Sequence, residues 1–321
     1  MPVEIREITG WTLGPLTHEL RDAASPVRRF FATRFAQGAA GIQARVRTAL
    51  PAMVMPRATG DYATLGTAAD WLLRYLAHPA VDYSLAIAGA QLARSRGVDA
   101  TGALAALSDL TTDESAGNPA GFDGPATFPP CPDRDLVART SWALALLTAV
   151  CRGGPAEVDR GELRRLRGQA ATPADLLALA PPPALGQLAC FRQVFEQRLL
   201  PQLAARTGLW AVGPHFSASQ LMPADADLIA GGLLLDLKTS ARAELPLSDI
   251  FQLAAYALMD SRDQYRLDSV GIFLARYGHL ATWPLDTFLS ELAGHPVDVS
   301  QARADFLGML MFASTGGQPG S

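Results

Sequence analysis

The sequence predicts a mixed α/β protein of the α+β type, in which helices flank a mixed β-sheet core and a large region near the N-terminus is helical. Two observations carry this prediction. Apolar residues recur at helical spacing as far as about residue 206, whereas five short β-like runs follow between residues 209 and 285. One long helical pattern, residues 248–260, separates the third run from the fourth, as expected where helices cover a sheet.

The helical part begins with a Ser-Pro entry signal at residue 25. The helical segments are predicted at residues 25–35, in the part of 63–79 that follows Gly66, and at about 81–108, 135–152 and 186–206. Residues 112–133 are dense in Gly, Pro, Asp and Ser, which predicts a loop. The β-like runs lie at about 209–212, 225–230, 233–239, 269–275 and 280–285, and a helix closes the chain at 299–312.

This layout predicts a division of the chain into successive parts. They are an N-terminal helical segment (1–60), a first core helix (61–78), a helical insertion (79–185), an α/β core (186–315) and a disordered tail (316–321).

Composition restricts the class of protein. Of the 321 residues, 49% are hydrophobic and 18% are charged, which is typical of a folded globular protein. No apolar run approaches the roughly 20 residues that a membrane helix needs, and the N-terminus has no secretion signal. We therefore expect a cytoplasmic protein with no membrane partner. Because the net charge is −4, any site for a polyanion must be local.

The three cysteines, Cys131, Cys151 and Cys190, are far apart and include no C-x-x-C pair. This spacing argues against a zinc site, a four-cysteine iron–sulfur cluster and a disulfide framework. It also favours a reducing compartment.

A β-hairpin is predicted across Gly231-Gly232, because a two-residue glycine turn joins two β-like runs. The turn pairs Ala230 with Leu233 and thereby fixes the register of the other pairs. Alternation along each strand then places only apolar residues, from Ala226 to Leu237, on one face of the hairpin.

The other face of this hairpin carries the charged residues. Asp227 is predicted to face Asp236, and Asp225 to face Lys238. Directly opposed carboxylates repel each other, so the pair favours sharing a proton or binding a cation. The oxygens of two carboxylates on directly opposed strand residues suit Mg²⁺ or Mn²⁺. The alternative is an exposed polar face that Lys238 neutralises.

Lys238 is the single lysine among 27 basic residues. It lies two residues beyond Asp236, on the same face and within reach of a phosphate. The helix that follows, 248–260, places Gln252 and Tyr256 four residues apart on one side, with Ser248 or Asp249 as its cap. Taken alone, this helix is typical of an ordinary amphipathic element.

Together these motifs resemble the PD-(D/E)xK nuclease superfamily, and within it the RecB-type branch. The resemblance lies in a carboxylate strand, a turn, D-x-K on the next strand and Q-x-x-x-Y on the following helix. The matching residues are Asp227, Asp236, Lys238, Gln252 and Tyr256. It implies a restriction-endonuclease-like mixed sheet and metal-dependent hydrolysis of phosphodiester bonds in DNA.

The resemblance also implies a role for each residue. Asp227 and Asp236, with the backbone carbonyl of Leu237, would bind Mg²⁺ or Mn²⁺. Lys238 would orient or activate the attacking water and stabilise the charged transition state. The Q-x-x-x-Y pair would steady the lysine or contact a phosphate.

An upstream acidic ligand is also expected in this branch. The segment LGTAADWLLRYL, residues 65–76, resembles the helix that supplies it, with Asp70 where a histidine often stands. Glu196 is the rival for this role. Several relatives in the branch carry an iron–sulfur cluster, which we do not expect here. No helicase P-loop is present, so any motor would be a separate chain.

Two other classes of function remain open at this point. One is a catalytically silent module that binds nucleic acid or protein and retains the fold. The other is a helical scaffold whose hairpin charges are incidental. The basic stretches are candidate phosphate contacts or solvated helix faces; they contain Arg28, Arg29, Arg34, Arg45 and Arg47, and residues 162–168.

Overall fold

A computed structural model of the chain describes residues 13–56, 61–113, 116–124 and 133–315. Cys131 and the predicted tail, 316–321, lie outside these residues. The α-helices are α1 (Leu16–Glu19), α2 (Pro26–Arg34), α3 (Ala39–Ala49), α4 (Tyr62–Ala77), α5 (Ser84–Ala93), α6 (Thr101–Thr111), α7 (Arg134–Gly153), α8 (Glu157–Arg160), α9 (Pro173–Leu177), α10 (Pro182–Val194), α11 (Leu200–Leu203), α12 (Leu247–Met259), α13 (Leu285–Ala293) and α14 (Val299–Ser314). A π-helical turn, Phe195–Leu199, joins α10 to α11.

The strands form one mixed sheet in the order β1 to β6. They are β1 (Phe122–Asp123), β2 (Leu209–Val212), β3 (Leu228–Ala230), β4 (Leu233–Lys238), β5 (Ser269–Leu274) and β6 (His279–Pro284). All neighbours are antiparallel except β4 and β5, which are parallel. Helix α12 forms the crossover that a parallel pair requires. A mixed sheet with flanking helices is therefore confirmed.

The predicted hairpin register is confirmed. Ala230 pairs with Leu233, and Leu228 pairs with Leu235. Gly231 and Gly232 have φ values of 50° and 82°. Positive φ at both turn positions is required by the two-residue turn that suits the twist of a hairpin, and glycine adopts it without steric cost.

Both faces of the sheet are buried, and each has its own hydrophobic core. Leu233 and Leu235 contribute to the core under α4, α7 and α10. Leu234 and Ile229 contribute to the core under α2, α12 and α14. The charged residues of the hairpin are therefore not on an open face. Ala226 belongs to the second core rather than the first, because the regular strand ends at Leu228.

Helix α4 differs from its prediction. Its N-cap is Asp61, whose carboxylate accepts hydrogen bonds from the amides of Ala63 and Thr64. This cap starts the helix before Gly66, so the predicted glycine turn lies inside the helix. The missing side chain has a different use: a Cβ at Gly66 would lie 3.1 Å from Oγ1 of Thr239, so the glycine lets α4 approach the end of β4 closely.

The predicted division of the chain remains a prediction, and contacts cross its boundaries. Strand β1, which falls inside the predicted insertion, pairs with β2 of the core. Helices α2 and α3 belong to the same hydrophobic core as α12 and α14. In the part of the chain that the structure describes, no helix is long and apolar enough to cross a membrane.

Candidate active site

A cleft of about 190 Å³ opens at the end of β4, between α4 and α12. It is lined by every residue that the sequence assigned to the site, namely Asp70, Asp227, Asp236, Leu237, Lys238, Gln252 and Tyr256. Residues 15–17 and 223–224 complete its wall, and the amide of Leu16 donates to the carbonyl of Pro223 at 3.0 Å. Glu196, the rival ligand, is exposed on the π-helical turn and does not line the cleft.

Lys238 is fixed by contacts on three sides. Its Nζ lies 2.9 Å from Oδ2 of Asp236 and 3.8 Å from Oδ1 of Asp249, and it donates to Oε1 of Gln252 at 2.8 Å. Gln252 in turn donates through Nε2 to the hydroxyl of Tyr256 at 2.7 Å. The Q-x-x-x-Y pair therefore holds the ammonium in place, because neither side chain can move without breaking this chain of bonds.

Asp249 does not cap α12 as the sequence suggested, since the helix begins at Leu247 and its N-cap, Pro246, makes no side-chain hydrogen bond. Instead, Asp249 lies in the first turn and turns its carboxylate toward Lys238. Burial alone would lower the pKa of Lys238. The negative charges of Asp236 and Asp249 raise the pKa by more than burial lowers it, so the net shift is upward. The lysine is a stable cation in this environment.

Asp227 and Asp236 both line the cleft, although Asp227 lies one residue outside the regular ladder, which ends at Leu228. Asp227 directly precedes β3, and its carboxylate accepts a hydrogen bond from the amide of Leu237. Asp236 is only 2% exposed, and its enclosed Oδ2 forms an ion pair with the ammonium of Lys238 at 2.9 Å. Among the described residues, this ammonium is the polar partner of that oxygen.

Both carboxyl groups have raised pKa values. For Asp227, burial raises the pKa well above its usual range, and the nearby charges of Asp70 and Asp236 raise it further. For Asp236, burial raises the pKa to about 6, against the lowering influence of Lys238. Burial is the largest cause of both upward shifts, and the lowering influence of Lys238 on the two pKa values does not offset it.

Tyr256 remains a neutral hydroxyl. Burial raises its pKa well above 10, and the charges of Asp225 and Asp236 add to the effect. The tyrosine can therefore hold Gln252 by hydrogen bonding but does not act as a base.

The opposite side of the cleft contains two arginines that sequence reasoning missed. Arg74 binds Asp70 on the same helix, with Nη2 to Oδ2 at 2.8 Å and Nε to Oδ2 at 3.1 Å. It also contacts Asp225 at 3.2 Å. Arg152, at the end of α7, donates to both oxygens of Asp225 at 3.0 and 2.9 Å. We call these four residues the arginine clamp.

The clamp changes the position predicted for Asp225. Instead of facing Lys238, this residue forms a β-bridge with His215 and ion pairs with Arg74 and Arg152. Burial raises the pKa of Asp225, but the charges of Arg152 and Arg74 outweigh it, so the pKa lies below its usual value. One signal for Arg74 was present in the sequence, because it lies four residues after Asp70 on one helix face.

The donor set fits a hard divalent cation. Among the described residues, no group of three or more His, Cys, Asp or Glu side chains is arranged to hold a metal ion. However, Mg²⁺ usually keeps several waters and needs only one or two carboxylates from the protein. Asp227 and Asp236, which both line the cleft, would be the two carboxylates, with Oδ2 of Asp236 shared with the ammonium of Lys238. Asp70 lines the same space, but Arg74 already holds its carboxylate.

The N-terminal arginines have separate environments. Arg34 pairs with Asp305, and Arg45 pairs with Glu291. Arg28 lies over a phenylalanine ring of α12. These three are therefore engaged within the protein and are not available as phosphate contacts without breaking those interactions.

Comparisons of the chain with protein-family models, with curated proteins and with solved structures found no match. The resemblance to the PD-(D/E)xK superfamily therefore rests on the motif residues themselves.

Proposed function

We propose that the protein is a metal-dependent nuclease that hydrolyses phosphodiester bonds in DNA. One observation carries the proposal: residues from Asp70 to Tyr256, chosen from sequence motifs, all line one cleft. The hairpin residues meet through a local turn, so the informative member is Asp70, which lies more than 150 residues before Asp227 in the chain and still lines the same cleft.

The proposed chemistry divides the work among the residues of the cleft. A bound Mg²⁺ or Mn²⁺ would polarise the phosphoryl group and make water a stronger nucleophile. Asp227 and Asp236 would hold the cation, whose positive charge would offset the cost of burying their negative charges. Lys238 faces the same space, where its ammonium stabilises the negative charge that develops on the phosphate. Gln252 keeps that ammonium from turning toward solvent.

The geometry also gives a reason for lysine at this position. The Nζ atom sits between Asp236 and Gln252 at 2.9 and 2.8 Å, and the side chain is 17% exposed. A guanidinium is planar, larger and effectively always protonated, so it fits poorly in a space shaped for a compact ammonium. Arginine, which the chain uses elsewhere, would disturb both contacts.

The test is a cleavage assay on linear, circular and single-stranded DNA, with Mg²⁺, with Mn²⁺ and with EDTA. We expect cleavage only with a divalent metal. Lys238→Ala, Lys238→Arg and Asp236→Asn should each lose roughly a hundredfold in rate, because the first two remove or displace the ammonium at the reacting phosphate and the third removes a ligand of the cation. Asp109→Asn is the matched control, since Asp109 is exposed on α6 and outside the cleft.

Several outcomes would contradict the proposal. Cleavage that persists in both Lys238→Ala and Asp236→Asn would exclude this cleft as the active site. Full activity of Lys238→Arg would leave the choice of lysine unexplained. Binding of DNA without cleavage in any metal would favour a catalytically silent nucleic-acid-binding module.

A further inference from the structure

The cleft is the first of three neighbouring cavities. The second, of about 510 Å³, lies between the first turn of α4 and residues 239–242. The third, of about 450 Å³, lies between α3 and residues 242–246. Thr239 lines the first and second cavities, and Arg242 lines the second and third. The three cavities therefore adjoin one another in a row, and we call the second and third together the lateral groove.

The floor of the lateral groove is the chain segment that follows β4, and it is held at three points. Arg276 is fully buried and donates through Nε to the carbonyl of Thr239 at 2.7 Å. The hydroxyl of Tyr277 donates to the carbonyl of Ala241 at 3.0 Å. Gln43 donates to the carbonyl of Leu245 at 2.7 Å. Because its backbone is anchored from both sides, this segment is a preformed surface that a ligand need not order.

The wall of the groove is one face of α4. Tyr62, Gly66 and Asp70 are spaced by four residues, so they lie on the same side of the helix. Asp70 lines the cleft, and Tyr62 lines the second cavity about 12 Å away along the helix axis. The tyrosine is 52% exposed. A large aromatic side chain, about half of it exposed, thus lies beside the groove.

The charge of the lateral groove differs from that of the cleft. Arg242 and Arg47 are exposed, line the groove and form no ion pair with any described residue. Glu244 is the single carboxylate among the residues that line it. The hydroxyl of Ser240 is also present on the floor. The groove thus offers cationic groups and an aromatic ring, whereas the cleft offers carboxylates.

We propose that the lateral groove binds the nucleic-acid strand on one side of the cleaved phosphate, with Tyr62 stacking on a base and Arg242 and Arg47 contacting backbone phosphates. Only the position of the cleaved bond rests on the proposed function. Stacking on an aromatic ring is possible for every base, and arginines bind phosphate regardless of sequence. The groove therefore strengthens binding without selecting a sequence.

The test measures binding of fluorescently labelled oligothymidylates by anisotropy, in the Lys238→Ala background so that the DNA stays intact. An oligonucleotide of about ten residues should bind more tightly than one of about two, because only the longer one reaches along the groove. Tyr62→Ala should lower the affinity for the longer oligonucleotide roughly tenfold and change the affinity for the shorter oligonucleotide little. Tyr62→Phe keeps the ring and should keep the affinity.

The arginines are tested by salt dependence. Arg242→Ala and Arg47→Ala should each lower the slope of log affinity against log salt by about 0.7, as expected for the loss of one phosphate contact to a single strand. Arg262→Ala is the matched control, because Arg262 is exposed, carries the same charge and lies outside the groove. Its slope should equal that of the Lys238→Ala background.

The outcomes separate this proposal from the nuclease proposal. If Tyr62→Ala, Arg242→Ala and Arg47→Ala all bind like the background, or if the background does not bind DNA, the groove proposal is overturned. If these variants weaken binding but the unaltered protein cleaves no DNA in any metal, the groove proposal stands and the nuclease proposal fails. If the unaltered protein cleaves DNA with a divalent metal but all three variants bind like the background, the nuclease proposal stands and the groove proposal fails.

Discussion

The two sides of the cleft hold their carboxylates in opposite electrostatic states. On the hairpin side, burial raises the pKa values of Asp227 and Asp236, and Lys238 does not compensate. On the helical side, Asp225 has a lowered pKa, because Arg152 and Arg74 outweigh its burial. The side chain of Asp236 is 3% exposed and that of Asp225 is 15% exposed, so the two carboxylates differ in burial as well as in the positive charge beside them.

This difference in pKa distinguishes the carboxylates suited to a reaction from those that hold the fold together. A carboxylate whose partners do not offset the cost of its burial has a raised pKa, and groups with strongly shifted pKa values are concentrated where a protein binds ions or performs reactions. The arginine clamp has the opposite character, since its ion pairs join α4 and α7 to the segment that leads into β3. We infer that the hairpin side supplies the reactive groups and the clamp holds the helices that close the cleft.

The largest expected effect comes from breaking the clamp. Arg74 is buried, and its guanidinium serves both Asp70 and Asp225. Arg74→Ala should lower the free energy of unfolding by about 3–5 kcal/mol, because it leaves a buried carboxylate without its partner. Urea denaturation, followed by circular dichroism, measures the change.

A second substitution shows whether charge is the cause. In the Arg74→Ala background, Asp70→Asn removes the negative charge that has lost its partner and should recover part of the stability. If the double variant is no more stable than Arg74→Ala, the loss comes from packing, for example against the Trp71 ring that the guanidinium covers. The clamp would then be a packing contact rather than an electrostatic one.

The free energy of unfolding that Asp236 contributes should fall as pH rises. An ordinary paired carboxylate, whose pKa is lowered, contributes more stability as pH rises. The folded-state pKa of Asp236 is about 6, above the roughly 3.9 of an unfolded aspartate. A raised pKa means that the folded state binds the proton more tightly, so this stabilisation is complete below about pH 4 and is lost as pH rises through 6. Without metal, the free energy of unfolding should fall by on the order of 2 kcal/mol over this range.

Two comparisons sharpen that measurement. Asp227→Asn retains an oxygen that can accept from the amide of Leu237 but removes one of the two coupled acids, so the fall with pH should be shallower. Added Mg²⁺ should restore stability above pH 6 in the unaltered protein and do so less in the variant. If the free energy of unfolding without metal does not change with pH, the folded state does not raise the pKa values of these carboxylates.

The sequence predicted the hairpin side almost completely, because its information is local. The turn at Gly231-Gly232 fixes the register, and alternation fixes which side chains share a face. Asp227, Asp236 and Lys238 lie within 12 residues, and Gln252 and Tyr256 follow on the next element. Each relation depends on a period of two or of four residues, which can be counted without knowing the fold.

The helical side was predicted only in part, because its contacts join distant segments. Asp225 meets Arg152 from 73 residues away and Arg74 from 151 residues away, and no periodic pattern encodes such a meeting. The local argument also failed at Asp225 itself, since the regular ladder ends at Leu228 and the extrapolated partner was Lys238. Side-chain pairing beyond the end of a strand depends on the helices packed there.

The smallest expected effect distinguishes the two arginines of the clamp. The side chain of Arg152 is 43% exposed, whereas that of Arg74 is 6% exposed, although both bind Asp225. Solvent weakens the outer pair, and Arg74 remains beside Asp225 when Arg152 is lost. Arg152→Ala should therefore lower the free energy of unfolding by no more than about 1 kcal/mol.

A double-mutant cycle with Asp225→Asn gives the coupling energy between Arg152 and Asp225 directly. A coupling below about 1 kcal/mol would assign Arg152 to the solvent-facing edge of the cleft, where its charge is available to a bound phosphate. A coupling near that of a buried pair, about 3 kcal/mol or more, would instead show that Arg152 holds α7 in the clamp as strongly as Arg74 holds α4. In that case, the helical side would be a single rigid unit, and the balance of charge across the cleft would depend on both arginines equally.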